Sequence, residues 1–186
     1  VLFRSADQAG LNFLERSGYS AKGMLEFFEI LSGQELLSQN RQSPYVRTHP
    51  LTRERVDTVR ASLQNARYAK AQVPPEFERM HKRIKAKLFA FIEQPTRTFQ
   101  IYKEADNSEA ARYARAVAYY RVPDLAKALS LIDGLIAEFP DDPYYREMKG
   151  QMLFENGRIQ EAVASYGEAV SLLPTSALIR VGYRSE

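Results

Sequence analysis

Two histidines, His49 and His81, are the only imidazoles in the 186-residue chain, and it contains no cysteine. Cysteine nucleophiles, disulfide frameworks and zinc knuckles are therefore excluded, and the chain cannot by itself supply a histidine-rich metal site. His49 stands between Thr48 and Pro50, and those neighbours alone describe a solvated loop imidazole. His81 sits among Lys82, Arg83, Lys85 and Lys87. That cluster is either a basic anchor for anionic lipid or nucleic acid, or the wet face of an amphipathic helix. The charges alternate with an apolar stripe of Met80, Ile84, Leu88, Phe91 and Ile92, which favours the wet face. Asp7 reads as a helix-start acid favoured by the macrodipole, and Arg55 as a solvated first-turn arginine.

The elements that must position these groups are helical. Ala6, Ala9, Gly10, Phe13 and Leu14 recur at helical spacing, and no alternating strand pattern appears. Gly18 ends that helix and Ser20 can cap a second, which carries Met24, Leu25, Phe28 and Leu31 and stops near Gly33. Residues 34–50 are polar and irregular. Thr52 is an N-cap for a third helix with Val56, Val59 and Leu63 on one face, and Val73-Pro74-Pro75 precedes a fourth over about 76–93. Gln94-Pro95 breaks it, and 97–107 reads as a connector. Lys plus Arg number 26 against 23 acids, a net charge of +3. That excess is too small and dispersed for a nucleic-acid surface. No apolar run reaches the roughly 18 residues of a membrane span.

From Ser108 the chain repeats. Pro140 and Pro174 lie 34 residues apart, the tetratricopeptide period. With Pro143 as position one, Gly150, Ala162, Tyr166, Ala169 and Pro174 fall at positions 8, 20, 24, 27 and 32. Small residues at 8, 20 and 27 let two antiparallel helices approach, the aromatic fills the gap between them, and the proline ends the second helix. Asp142-Pro143 supplies an N-cap with proline at N1, and Asn156-Gly157 the turn between helices. The preceding copy, from Glu109, keeps Ala116, Tyr119, Ala128 and Pro140, with Ile132 and Leu135 at the last two packing positions. Thr175 to Val181 opens a third unit, which predicts an uncapped apolar end. Positions 2, 5, 9 and 12 of each first helix line a concave face: Ala110, Tyr113, Val117 and Tyr120, then Tyr144, Glu147, Gln151 and Phe154. Such a groove could anchor an extended or helical partner segment. Tyr120 and Phe154 could equally pack between repeats.

Three stretches of the first half then stand out: Ala-Asp-Gln-Ala-Gly at 6–10 with Ser-Gly-Tyr-Ser at 17–20, Met24–Phe28 in the next helix, and Thr-His-Pro-Leu-Thr-Arg-Glu-Arg at 48–55. Their order and spacing resemble the zinc metallopeptidase family of the CAAX prenyl proteases, HtpX and BepA-like periplasmic peptidases, over about residues 6–65. BepA-like members also carry a tetratricopeptide tail. The resemblance implies an all-α chain: post-catalytic helices of a metalloendopeptidase and a connecting helix over 6–95, then a tetratricopeptide α-solenoid over 108–183. It implies a periplasmic or envelope-associated parent that hydrolyses peptide bonds with zinc-activated water. The repeats would recruit protein substrates or assembly partners in envelope protein quality control.

By the same resemblance, Asp7 orients a zinc-ligating histidine. His49 lies near the zinc, donating to the developing oxyanion or capping the metal, and Arg55 fixes that loop or contacts substrate. The family's HExxH is absent, and the position of its Glu ligand is Phe3. Val1–Ser5 and Arg184–Glu186 read back into codons as a sequencing-library adapter and its reverse complement, so both tails are expected to be non-native. The expectation is therefore a chain without metal ligands, without bound zinc and inactive by itself, with no nucleic-acid partner and membrane association confined to the parent. The rival reading is a non-enzymatic tetratricopeptide adaptor.

Overall fold

The computed structural model describes residues 2–35 and 53–184, and among these every regular element is a helix. The chain divides into two compact units, Val1–Phe77 and Glu78–Glu186.

The first unit holds α1 (Leu2–Arg16), α2 (Lys22–Glu35) and α3 (Arg53–Asn65). Gly18 sits at φ 77°, the left-handed conformation that terminates a helix, two residues beyond the end of α1. The Ser20 hydroxyl accepts from the Lys22 amide at 3.1 Å and donates to the Ala69 carbonyl at 2.8 Å, so it caps α2 and ties down the segment after α3. Thr52 and His49 lie outside the described residues. Leu11, Ala21, Phe28, Leu31, Val56 and Val59 form the core, with Leu14, Met24, Leu25 and Leu63 against it. One face differs from expectation: Phe13 and Ala6 are exposed, while Asp7 and Leu11 are buried. A carboxylate takes the inward position on α1 because a cation meets it there.

The second unit holds most of α4 (Pro75–Ile92), then α5 (Pro95–Ile101), α6 (Glu109–Arg121), α7 (Leu125–Glu138), α8 (Pro143–Glu155), α9 (Ile159–Leu172) and α10 (Ala177–Arg184). The expected first domain of 6–95 is thus divided at Phe77, because α4 packs with the repeats. The connector expected over 97–107 begins inside α5, which Pro95 starts at its N-terminus. The loop after α5 is held by the buried Arg115 guanidinium, which donates to the carbonyls of Lys103 at 2.5 Å and Asp106 at 2.8 Å.

The repeat packing follows the spacing. Ala116, Ala128, Ile132, Leu135, Ala162 and Ala169 are fully buried, and Gly157 takes φ 75° in the turn between α8 and α9. A Cβ built on Gly150 would lie 2.6 Å from Cδ2 of Tyr166, whose ring is itself buried, so only glycine lets α8 and α9 approach at this point. Gly150→Val is expected to cost about 2–3 kcal/mol through overpacking. Urea unfolding followed by circular dichroism measures it, and an unchanged midpoint would contradict the assigned contact.

The packed face of α4 differs from the one its apolar stripe predicts, and of that stripe only Phe91 lies against the core. Arg83, Ala86 and Ala90 are buried, whereas Met80, Ile84, Leu88 and Ile92 are exposed, Ile92 at 76%. Arg83 goes inward because Asp142 neutralises it and tyrosine rings flank it, which removes the cost of burying a lone charge.

Candidate functional site

In the first unit, the two residues that the resemblance singled out and the structure describes meet. Arg55 on α3 donates from Nε to Oδ2 of Asp7 at 2.7 Å and from Nη2 to Oδ1 at 2.9 Å, a two-pronged pair reaching across 48 residues of sequence to α1. Both side chains are largely buried. The guanidinium also stacks on Phe28 of α2, 5.0 Å from the ring centroid. One ion pair therefore joins the three helices described in the unit up to Asn65. Planarity and a fixed fork of donors are what make arginine suited to such a site. Phe28, a platform that spacing alone classes as core, is the member that sequence reasoning missed. Beside the pair opens a cleft of about 240 Å³, lined among the described residues by Asp7, Gln8, Glu54, Arg55 and Thr58.

The donor set here does not make a zinc site. Among the described residues no three His, Cys, Asp or Glu side chains gather to hold a metal ion, and both Asp7 oxygens are engaged by Arg55. Each of those oxygens keeps lone-pair capacity for a further hydrogen bond. Asp7 is thus placed as a hydrogen-bond acceptor held in fixed orientation. No catalytic step can be routed through a metal on these residues.

The expected partner groove of the repeats is in large part covered. Tyr113 and Val117 are 1% and 0% exposed and share one core cluster with Ala86 and Ala90 of α4, so neither lines an open surface. Tyr144 lies under Arg83, 4.9 Å from guanidinium carbon to ring centroid, and Glu147 pairs with Lys87 at 3.5 Å. Ala110 is half-buried against the same cluster. The remaining three predicted residues lie toward the far ends of α6 and α8. The Tyr120 hydroxyl donates to the Glu155 carboxylate, Gln151 donates to Glu155 at 2.9 Å, and Phe154 is 37% exposed.

On α4, His81, Lys82 and Lys85 are exposed, as the wet-face reading expects, while Arg83 and Lys87 of the same cluster, together with Arg79, face acidic repeat residues. Arg79 pairs with Glu109 at 3.0 Å and with Asp142 at 3.1 Å, and Arg83 pairs with Asp142. Burial opposes the charge on Arg83, but Asp142 and Tyr145 outweigh it and hold the guanidinium above its ordinary value. The visible signal was Arg79, Arg83 and Lys87 at four-residue spacing, with Ala86 and Ala90 between and beyond them.

Burial also pushes the phenols of Tyr113 and Tyr145 well above the usual tyrosine range; for Tyr145 the hydrogen bond it donates to Glu109 adds to this. The phenol pKa is higher folded than unfolded, so the associated stability is complete below the unfolded value of about 10 and is lost as pH rises above it. The Tyr113 hydroxyl is buried without a hydrogen-bond partner. Tyr113→Phe is therefore expected to leave stability at neutral pH unchanged or raised by up to about 1 kcal/mol. It should also flatten the alkaline loss of stability seen in melting temperature between neutral pH and pH values above about 10. A destabilised variant would show that the hydroxyl has a partner.

Comparison with known proteins matches both halves. Residues 4–63 match the model of peptidase family M48, and residues 104–143 and 113–177 match the tetratricopeptide repeat. A Vibrio cholerae serotype O1 protein named beta-barrel assembly-enhancing protease is 24% identical over 147 residues, covering 76% of this chain. The chain spans 30% of that protein's length. No solved structure matches the chain. The helices that carry the Asp7–Arg55 pair thus lie within the stretch similar to peptidase family M48, and the stretch similar to the tetratricopeptide repeat follows it in the chain.

Proposed function

We propose that the chain is part of a zinc-dependent metalloendopeptidase that hydrolyses peptide bonds, and that its repeats recruit protein substrates or assembly partners. The observation that carries this reading is the buried Asp7–Arg55 pair within the segment matching peptidase family M48. It holds a carboxylate at a fixed angle with acceptor capacity to spare, which is what orienting a metal-ligating histidine through its free ring N–H requires. Zinc, when bound, supplies the activated water. Its protein ligands are residues other than those described. Asp7 and Arg55 act as positioning residues. His49 is proposed to stand near the metal and donate to the oxyanion or cap the metal at rest, a role that rests on the family resemblance. A periplasmic or envelope location and a part in protein quality control are proposed on the likeness to the beta-barrel assembly-enhancing protease.

The test is the coding sequence adjoining this segment and the activity of the complete protein. An HExxH motif upstream of Asp7, with casein cleavage abolished by a zinc chelator and restored by zinc, is the expected result. Complete coding sequence without that motif would leave the adaptor reading in its place.

A further inference from the structure

We propose that the first-helix face of the repeats is a seat for a cationic, small-faced helix, and that α4 is its built-in occupant, exchangeable with a partner helix of the same pattern. The inference rests on the repeat fold and is independent of the peptidase reading.

The seat is acidic and aromatic. Glu109, Asp142 and Glu147 face Arg79, Arg83 and Lys87, while Tyr144 and Tyr145 lie 4.9 and 5.6 Å from the Arg83 guanidinium. From the middle of α4 only alanines, Ala86 and Ala90, enter the shared core, and the partly buried Phe91 packs against it at the helix end. At the far end Arg121 donates to the carbonyls of Ala90, at 2.7 Å, and Glu93. Those are last-turn carbonyls that any helix ending there would offer. The seat thus reads a helix by cations at four-residue spacing, a flat small-residue face and a C-terminal turn that brings a single aromatic, Phe91, against the core.

Three further observations mark the occupant as exchangeable. The large apolar side chains Met80, Ile84, Leu88 and Ile92 point away from the repeats and are exposed, so their burial does not hold α4 in place. The Tyr113 hydroxyl, buried in the cluster that α4 closes, has no partner, so the fit carries an unmet polar group. Finally, the residues matching the repeat begin at 104, so α4 lies outside the repeat proper. An interface of ion pairs, two alanines and one half-buried aromatic, whose charges on both sides regain water when it opens, opens at lower cost than one built on interlocked leucines.

The test uses the chain as it stands. Hydrogen exchange of backbone amides is followed in α4 and α6, alone and with excess synthetic peptide of residues 75–95. The α4 amides are expected to exchange at least about tenfold faster than those of α6. The peptide should accelerate them further, and higher salt should enhance the opening. A peptide with Arg79, Arg83 and Lys87 replaced by glutamate should have no effect. Equal protection of α4 and α6, or an α4 indifferent to the peptide, would show that the helix is an integral part of the solenoid and overturn the proposal.

Discussion

Asp142→Ala is expected to cost the repeat unit about 4–6 kcal/mol, the largest effect of any single substitution considered. Asp142 does two jobs. Its Oδ1 accepts from the Tyr144 amide at 3.0 Å and caps α8, and its Oδ2 faces Arg83. Loss of the cap costs about 1 kcal/mol. Stranding the buried Arg83 costs roughly 3–5 kcal/mol, because removing one member of a buried pair leaves the other charge uncompensated. Against a typical total stability of about 5–15 kcal/mol, that approaches unfolding. Arg79→Ala removes a more exposed cation from the same carboxylate and should cost under about 1 kcal/mol. Urea unfolding of the two variants side by side decides the matter: equal small losses would show that the pairing of Arg83 with Asp142 is not what holds this face.

Arg55→Ala is expected to cost the first unit about 3–5 kcal/mol, because it strands Asp7 in a buried position and removes the cation resting on Phe28. Arg55→Lys separates charge from geometry. A lysine keeps the charge but cannot offer two parallel N–H donors or a planar face, so an intermediate loss of about 1–2 kcal/mol is expected. In the complete protein, the alanine variant should depress proteolysis more than its stability loss accounts for, with partial recovery in the lysine variant. Proteolysis that tracks folded fraction alone in both would assign Arg55 a purely architectural part.

Much of the fold was legible in the chain because its causes are local. Gly18, Asp142-Pro143, Asn156-Gly157 and Gln94-Pro95 each act within a few residues, and each stands at a helix boundary in the structure. The close approach of Gly150 to Tyr166 was legible for a different reason, since a 34-residue repeat carries its packing positions at fixed offsets. Asp7 and Arg55 were both singled out, but by a resemblance, and nothing in the spacing says that they meet.

Tertiary structure alone decided which face of α1 and of α4 turns inward. Judged by its own sequence, a helix buries its largest apolar stripe, which for α4 means Met80, Ile84, Leu88, Phe91 and Ile92, and of these only Phe91 meets the core. It buries Arg83 instead because Asp142, 59 residues away, arrives to neutralise it. Asp7 turns inward on α1 because Arg55 arrives from α3. A charge can be buried only where its partner is, and the position of that partner is a property of the folded chain. Periodicity therefore determined that these helices exist and where they end. The long-range ion pairs determined which side of each one the protein uses.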